Sequence, residues 1–196
     1  MNYLAHLALS GENKEIIFGN FIGDSLHGVE IDHFPKGIKK GIKLHRFIDN
    51  FTDHHPIFIE AKKIFSKKFD KYSGVLVDVF FDHFLAKSFY DFEMKDLQKF
   101  TLEKYEIIET QKDLLPEKAK QFYNYMRENN LLYTYAELDG IKSVLEGITI
   151  RIEHKAPLNE AYELFIENYE TLEKLFRKFY REVKFASSDF LNPNKN

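Results

Sequence analysis

Two aspartates and a histidine interrupt the most apolar stretch of the chain, Tyr72–Phe89, in which Val75, Leu76, Val77, Val79, Phe80, Phe81, Phe84, Leu85 and Ala86 surround Asp78, Asp82 and His83. Asp78 and Asp82 are four apart and share one stripe of a helix, with His83 about 100° further round. A buried carboxylate with no partner costs several kcal/mol or more, so a cation or hydrogen-bond donors must face that stripe. A second pair at the same spacing, His45 and Asp49, lies one helix hairpin earlier. On a wheel centred on Ile38, both fall within about 20° of the apolar centre, among Ile42 and Ile48. Inward i,i+4 pairs on neighbouring helices are how helical bundles build metal sites. On spacing alone, a hydrogen bond within one helix explains His45 and Asp49 equally well, and an arginine could answer the carboxylates. Oxygen and nitrogen ligands without thiolates suit Mn, Mg, Fe or Zn, and a carboxylate-rich set favours the harder ions. Such an ion lowers the pKa of a bound water and polarises a phosphoryl oxygen. Arg46, with Lys39 and Lys43, forms a basic strip beside the His45/Asp49 face and suits phosphate charge. These residues point to a metal-dependent phosphohydrolase and name no substrate.

The elements that must position them are helical. Tyr72–Phe89 is apolar all round, which places it through the middle of a domain. Lys36–Asp53 reads as the helix that carries His45 and Asp49. Asp53 and His54 lie at its end, and Pro56 suits the first turn of the next helix, 57–69. At the N-terminus, Asn2 is placed to cap a short apolar helix over Met1–Leu9. That helix carries His6, a residue type that at such a position is ordinarily a hydrogen-bonded core side chain. A helix from about Asn13 to Asp24 contains Gly19 and Gly23, each costing about 1 kcal/mol in a helix. Either another backbone approaches closely there, or a ligand reaches Asn20 and Asp24, also four apart. Met94–Leu114, Pro116–Asn129, Tyr135–Ile152 and Leu158–Lys184 complete the helical spacing. Tyr133, Tyr135 and Arg151 fit either a cavity wall or ordinary core and surface positions.

At 196 residues, 44% of them hydrophobic, the chain is long enough to bury a full core as one domain over 1–190, leaving 191–196 as a frayed tail. No period-2 segment survives inspection, so the reading is all-α. The 20 Phe and 11 Tyr, with no Trp, are suited to a layered aromatic core. The net charge of -3 does not direct the chain to nucleic acid or a membrane surface. With no cysteine, no signal-like N-terminus and no run of about 20 apolar residues, a cytoplasmic setting is expected. Over residues 36–71 ten basic side chains face four acidic ones, a local excess that is either a solvated surface or a face for an acidic partner.

Four motifs together resemble the acyl carrier protein phosphodiesterase family, a non-standard branch of the HD-type phosphohydrolases. They are Met1-Asn-Tyr-Leu-Ala-His-Leu-Ala-Leu-Ser10, Gly19-Asn-Phe-Ile-Gly-Asp24, Gly41–Asp53 followed by His55-Pro56, and Tyr72–Leu85. The resemblance implies an HD-like helical bundle and Mn2+-assisted hydrolysis (Mg2+ or Fe2+ being other divalent choices) that removes the 4'-phosphopantetheine arm from holo acyl carrier protein. Carried onto this chain, it implies His45, Asp49, Asp82 and His83 as metal ligands, with Asp24 a further one. Asp78 and Asp53 would orient or deprotonate the attacking water, His6 and Asn20 would line the site, and Arg46 would hold the phosphate. The basic face that includes Lys39 and Lys43 would steer the small acidic carrier protein. Two other readings remain open: an HD-like hydrolase of a nucleotide or other small phosphoester, and a non-enzymatic helical binding module whose carboxylates are neutralised internally by Arg46 or Arg151.

Overall fold

The computed structural model describes residues 2–26 and 28–193, apart from the side chain of Lys118; Met1 and the 194–196 part of the expected tail lie outside the described residues. Among the described residues the regular structure is helical, with no strand. The order is α1 (Tyr3–Ala8), α2 (Lys14–Ile22), α3 (Lys36–His54), α4 (Pro56–Phe69), α5 (Ser73–Lys87), α6 (Phe89–Glu93), α7 (Leu97–Glu109), α8 (Glu117–Glu128), α9 (Leu131–Thr134), α10 (Leu138–Arg151), α11 (Ala161–Glu167) and α12 (Tyr169–Leu191). Their buried apolar side chains join in one continuous cluster.

The Phe-rich helix α5 runs through the centre, as its all-round apolar sequence requires. Phe80 stacks on Phe165 of α11 at 4.1 Å, and Phe81 meets Phe58 of α4 and Phe176 and Phe179 of α12. At Asp82 the answer to the carboxylate stripe is hydrogen-bond donors and not a cation. Its carboxylate accepts the backbone N–H groups of Leu4 (2.8 Å) and Ala5 (3.4 Å), two free donors in the first turn of α1. His83, one residue on, bonds the Tyr135 carbonyl through Nδ1 (2.8 Å) and the Tyr169 hydroxyl through Nε2 (2.7 Å). The structure thus commits both residues implied as metal ligands to fixing α1, α9 and α12 against α5.

Burial pushes the Asp82 carboxyl up to about 7, and the Leu4 amide draws back only part of that shift. An unfolded aspartate titrates near 3.9, so between about pH 4 and pH 7 the folded chain holds a proton that the unfolded chain has shed. Stability from this group therefore falls as pH rises through that window. Asp82→Asn keeps an oxygen for Leu4 N–H and has no charge to bury. In metal-free protein it is expected to flatten the decline in melting temperature between pH 4 and 7, gaining up to a few kcal/mol at neutral pH. Parallel melting curves for wild type and variant across that window would contradict this account.

Two boundaries differ from expectation. The helix expected over Leu158–Lys184 breaks at Asn168, whose side-chain Nδ2 donates to the Leu164 carbonyl at 2.8 Å, so that α11 and α12 present Phe165 and Tyr169 to Phe84 and His83 from separate axes. Beyond Lys184, α12 continues to Leu191, burying Ser187, and Lys40 of α3 donates to the Leu191 carbonyl at 2.7 Å. Leu191, taken as the start of the tail, is therefore the last residue of a helix.

Candidate metal centre

The helices α2 and α3 cross at close quarters, and glycine makes it possible. A Cβ on Gly19 would overlap the Ile38 carbonyl, and one on Gly41 would overlap the Ile16 carbonyl. One turn further along, a Cβ on Gly23 would overlap the ring of His45. Close approach is thus the reason for these glycines, and it brings Asn20 of α2 within reach of His45 of α3.

Three side chains from two helices then converge. His6 Nε2 lies 3.1 Å from Asp49 Oδ1, and His45 Nε2 lies 3.1 Å from Asp49 Oδ2. The two imidazoles stack with ring centroids 4.1 Å apart. One ligand atom from each of His6, His45 and Asp49 fits within a sphere of contact in which all pairs are within 4.8 Å. His6 comes from α1, whose start is set by the Asn2 cap and by Asp82.

Asn20 decides which ring nitrogens face inward. Its Nδ2 donates to the His6 carbonyl (2.9 Å) and to Ser10 Oγ (2.8 Å), which leaves Oδ1 as an acceptor. His6 Nδ1 lies 2.9 Å from that oxygen, and His45 Nδ1 lies 2.9 Å from the Asn20 main-chain carbonyl and 3.2 Å from Oδ1. Acceptor-only partners fix the proton on Nδ1 of both rings. In a neutral ring, Nε2 is then a bare lone pair, and both lone pairs are aimed at one carboxylate. Burial, with His45 beside it, pushes the His6 pKa down to about 4, so the His6 ring is neutral near pH 7. Burial raises the Asp49 carboxyl, and only N–H donation from Nε2 of His45 and then His6 would hold it below the usual carboxylate range, so where those nitrogens carry no proton a cation must take that place. Two imidazole lone pairs and a carboxylate charge converging without a proton between them fit a divalent cation.

The triangle opens into a pocket of about 410 Å3 that is also lined by Asp24, Asp53, Asp78 and Arg151. Asp78 is pushed above the ordinary aspartate range by burial, with Asp49 and Asp53 adding to the effect. Tyr3, on the same wall, is pushed up by burial and by Asp24, so its phenol stays a hydroxyl donor.

Of the residues singled out from the sequence, the structure brings His6, Asn20, Asp24, His45, Asp49, Asp53 and Asp78 to this pocket. It does not bring Asp82 or His83, for the reasons given above. Arg46, expected to hold phosphate, is exposed and donates to the Leu26 carbonyl at 3.3 Å, because its strip on α3 faces solvent beside the loop after α2. Lys39 bonds the Asp32 carbonyl and Lys43 is exposed; neither lines the pocket. The cation that does line it is Arg151, at the last turn of α10, which sequence alone left between cavity and surface. Its position at the end of an amphipathic helix carried no signal of the pocket.

Comparison with known proteins adds a family. The family described as acyl carrier protein phosphodiesterase matches residues 1–183. Among curated relatives, the acyl carrier protein phosphodiesterase of Escherichia coli O6:H1 (strain CFT073) is 32% identical over 192 residues, 96% of this chain and 98% of the relative. That of Photorhabdus laumondii is 29% identical over 193 residues (97% and 98%), and that of Serratia proteamaculans 30% over 190 residues (96% and 98%). No solved structure matches the chain.

Proposed function

From the chain's membership of the acyl carrier protein phosphodiesterase family, which the full-length match to family and relatives shows, we propose that it hydrolyses the phosphodiester of holo acyl carrier protein, releasing the 4'-phosphopantetheine arm and leaving the apo protein. The observation that carries the reading is the pair of Nδ1-pinned histidines whose Nε2 atoms converge on Asp49 at the base of an arginine-bearing pocket.

His6, His45 and Asp49 would hold a divalent cation, Mn2+ or another hard divalent ion. When bound, it would supply charge for a phosphoryl oxygen and lower the pKa of a water. Asn20 keeps both imidazoles in the ligating tautomer. Arg151 pairs with the remaining phosphate charge in the role that Arg46 was expected to fill. Asp78 and Asp53, which share the pocket, orient the water. In the balanced reaction the water oxygen bonds to phosphorus as the bond to the serine oxygen breaks. One water proton passes to a pocket carboxylate, and the serine oxygen takes up one as it leaves. Asp24, at the rim, is a further candidate to touch the ion. Kinship with HD-type hydrolases is part of this proposal, since the ligand set is helical and built from His and Asp.

The basic strip of α3, with Lys39, Lys43 and Arg46, shares its helix with His45 and Asp49 and suits a small acidic carrier protein. Incubating the protein and Mn2+ with holo carrier protein and reading the carrier's intact mass tests the proposal. Loss of the arm, dependent on Mn2+ and abolished by chelator, is expected. A carrier protein of unchanged mass at stoichiometric enzyme would reject it.

A further inference from the structure

The pocket at the metal triangle does not end there. Asn2, Tyr3, Ile148 and Arg151 also belong to a second cavity of about 390 Å3 that runs between α8, α9 and α10. Phe122, Leu131, Val144 and Gly147 make it apolar, in contrast to the carboxylate-rich metal pocket. Its few polar groups are placed along the wall. The Tyr135 hydroxyl accepts from Asn2 Nδ2 at 2.8 Å. Ser143 stands on the neighbouring stretch of α10. The volume lies in the usual range of ligand pockets, about 300–1,000 Å3, and an apolar lining with few polar groups is the usual composition of one.

We propose that this cavity is the subsite for the pantetheine end of the prosthetic arm, with Arg151 at the junction holding its phosphate; the proposal rests on the phosphodiesterase reading above. Of the two substituents on the scissile phosphate, the arm is the one whose chemistry fits. Beyond its phosphate it carries no charge, and it alternates apolar carbons with two amides that need only a few hydrogen-bonding partners. The other substituent belongs to an acidic protein, whose folded surface is too large and too charged for an apolar cavity of about 390 Å3. Another cavity that meets Arg151 is also partly apolar, through Phe21, Ala119 and Phe122, but it carries Asp24 and Glu117, carboxylates for which an arm uncharged beyond its phosphate has no partner.

Gly147 supplies the test. A Cβ built there meets no atom within 4 Å and Gly147 lines the cavity, so Gly147→Leu adds bulk at its wall with no clash at the backbone. Ile150, 65% exposed at the cavity mouth, gives an independent probe as Ile150→Trp. Both variants are expected to melt no lower than the wild type, to keep its Mn2+ content and to lose about tenfold to a hundredfold in kcat/KM on holo carrier protein. Wild-type kcat/KM in Ile150→Trp and in folded Gly147→Leu would overturn the subsite while leaving the phosphodiesterase reading intact. If Gly147→Leu fails to fold, Ile150→Trp decides. A wild-type enzyme that leaves the arm on its carrier would instead remove the reading, and the subsite with it.

Discussion

Replacing Asp49 with Asn is expected to abolish Mn2+ binding and lower arm release by about a thousandfold, while the metal-free protein stays folded. The asymmetry follows from the triangle. Asp49 supplies its charge, and a site with two imidazoles and no carboxylate has lost most of its hold on a hard cation. Several kcal/mol of charge stabilisation in the transition state depend on that ion, and about 4 kcal/mol corresponds to three orders of magnitude in rate. The folded state, however, gains from the change. An amide Nδ2–H can donate to one of the Nε2 lone pairs that a carboxylate only opposes. Chelator should therefore lower the melting temperature of the wild type and leave that of the variant unmoved. Metal content by elemental analysis, melting with and without chelator, and intact-mass kinetics read the three parts separately. An Asp49→Asn protein that binds Mn2+ and releases the arm at the wild-type rate would show that the triangle is only a hydrogen-bonded core network.

The largest loss of stability is expected from one methyl group on Gly19. In Gly19→Ala the new carbon would overlap the Ile38 carbonyl and press on the Gly41 Cα, both of them main-chain atoms that no rotamer change can move. Separating α2 from α3 opens the most extensive helix pair in the fold, and the cost is expected at about 3 kcal/mol or more. The same movement draws Asn20 away from His45, so Mn2+ affinity falls with stability. Gly147→Ala is the control, since that helical glycine has open space around it and should gain up to about 1 kcal/mol from the better helix former. Urea titration of the three proteins measures both effects. A Gly19→Ala protein with the wild-type midpoint would mean that the two helices cross further apart than described.

The resemblance and the wheel reading reached much of this site, each for a local reason. Helical periodicity made α5 central and turned His45 and Asp49 inward, because the angle of a side chain about its own helix axis depends only on neighbours a few residues away. Asn2 as a cap and Pro56 as a first-turn residue were legible on the same terms. What periodicity could not supply is the element lying across from each inward side chain. Asp78 and Asp82 share one stripe, yet Asp78 lines the pocket of His6, His45 and Asp49, and Asp82, one turn along, meets the amides of α1. His83 shared the same expectation and is held by Tyr135 and Tyr169, partners 52 and 86 residues away. By its position alone His6 read as an ordinary core histidine, and only the resemblance placed it at the site, where α1 packed against α2 and α3 brings it to Asp49. Arg46 stays outside the pocket because a basic strip adjoining an apolar face still faces solvent, whereas packing delivers Arg151, at the end of α10, to its wall. Sequence by itself determined the all-helical build, the central helix and the inward direction of the His45/Asp49 pair. Only the tertiary structure decided which inward polar groups share a cavity, because that depends on contacts between helices far apart in sequence, such as His6 with Asp49, 43 residues away, and Asp82 with Leu4, 78 away.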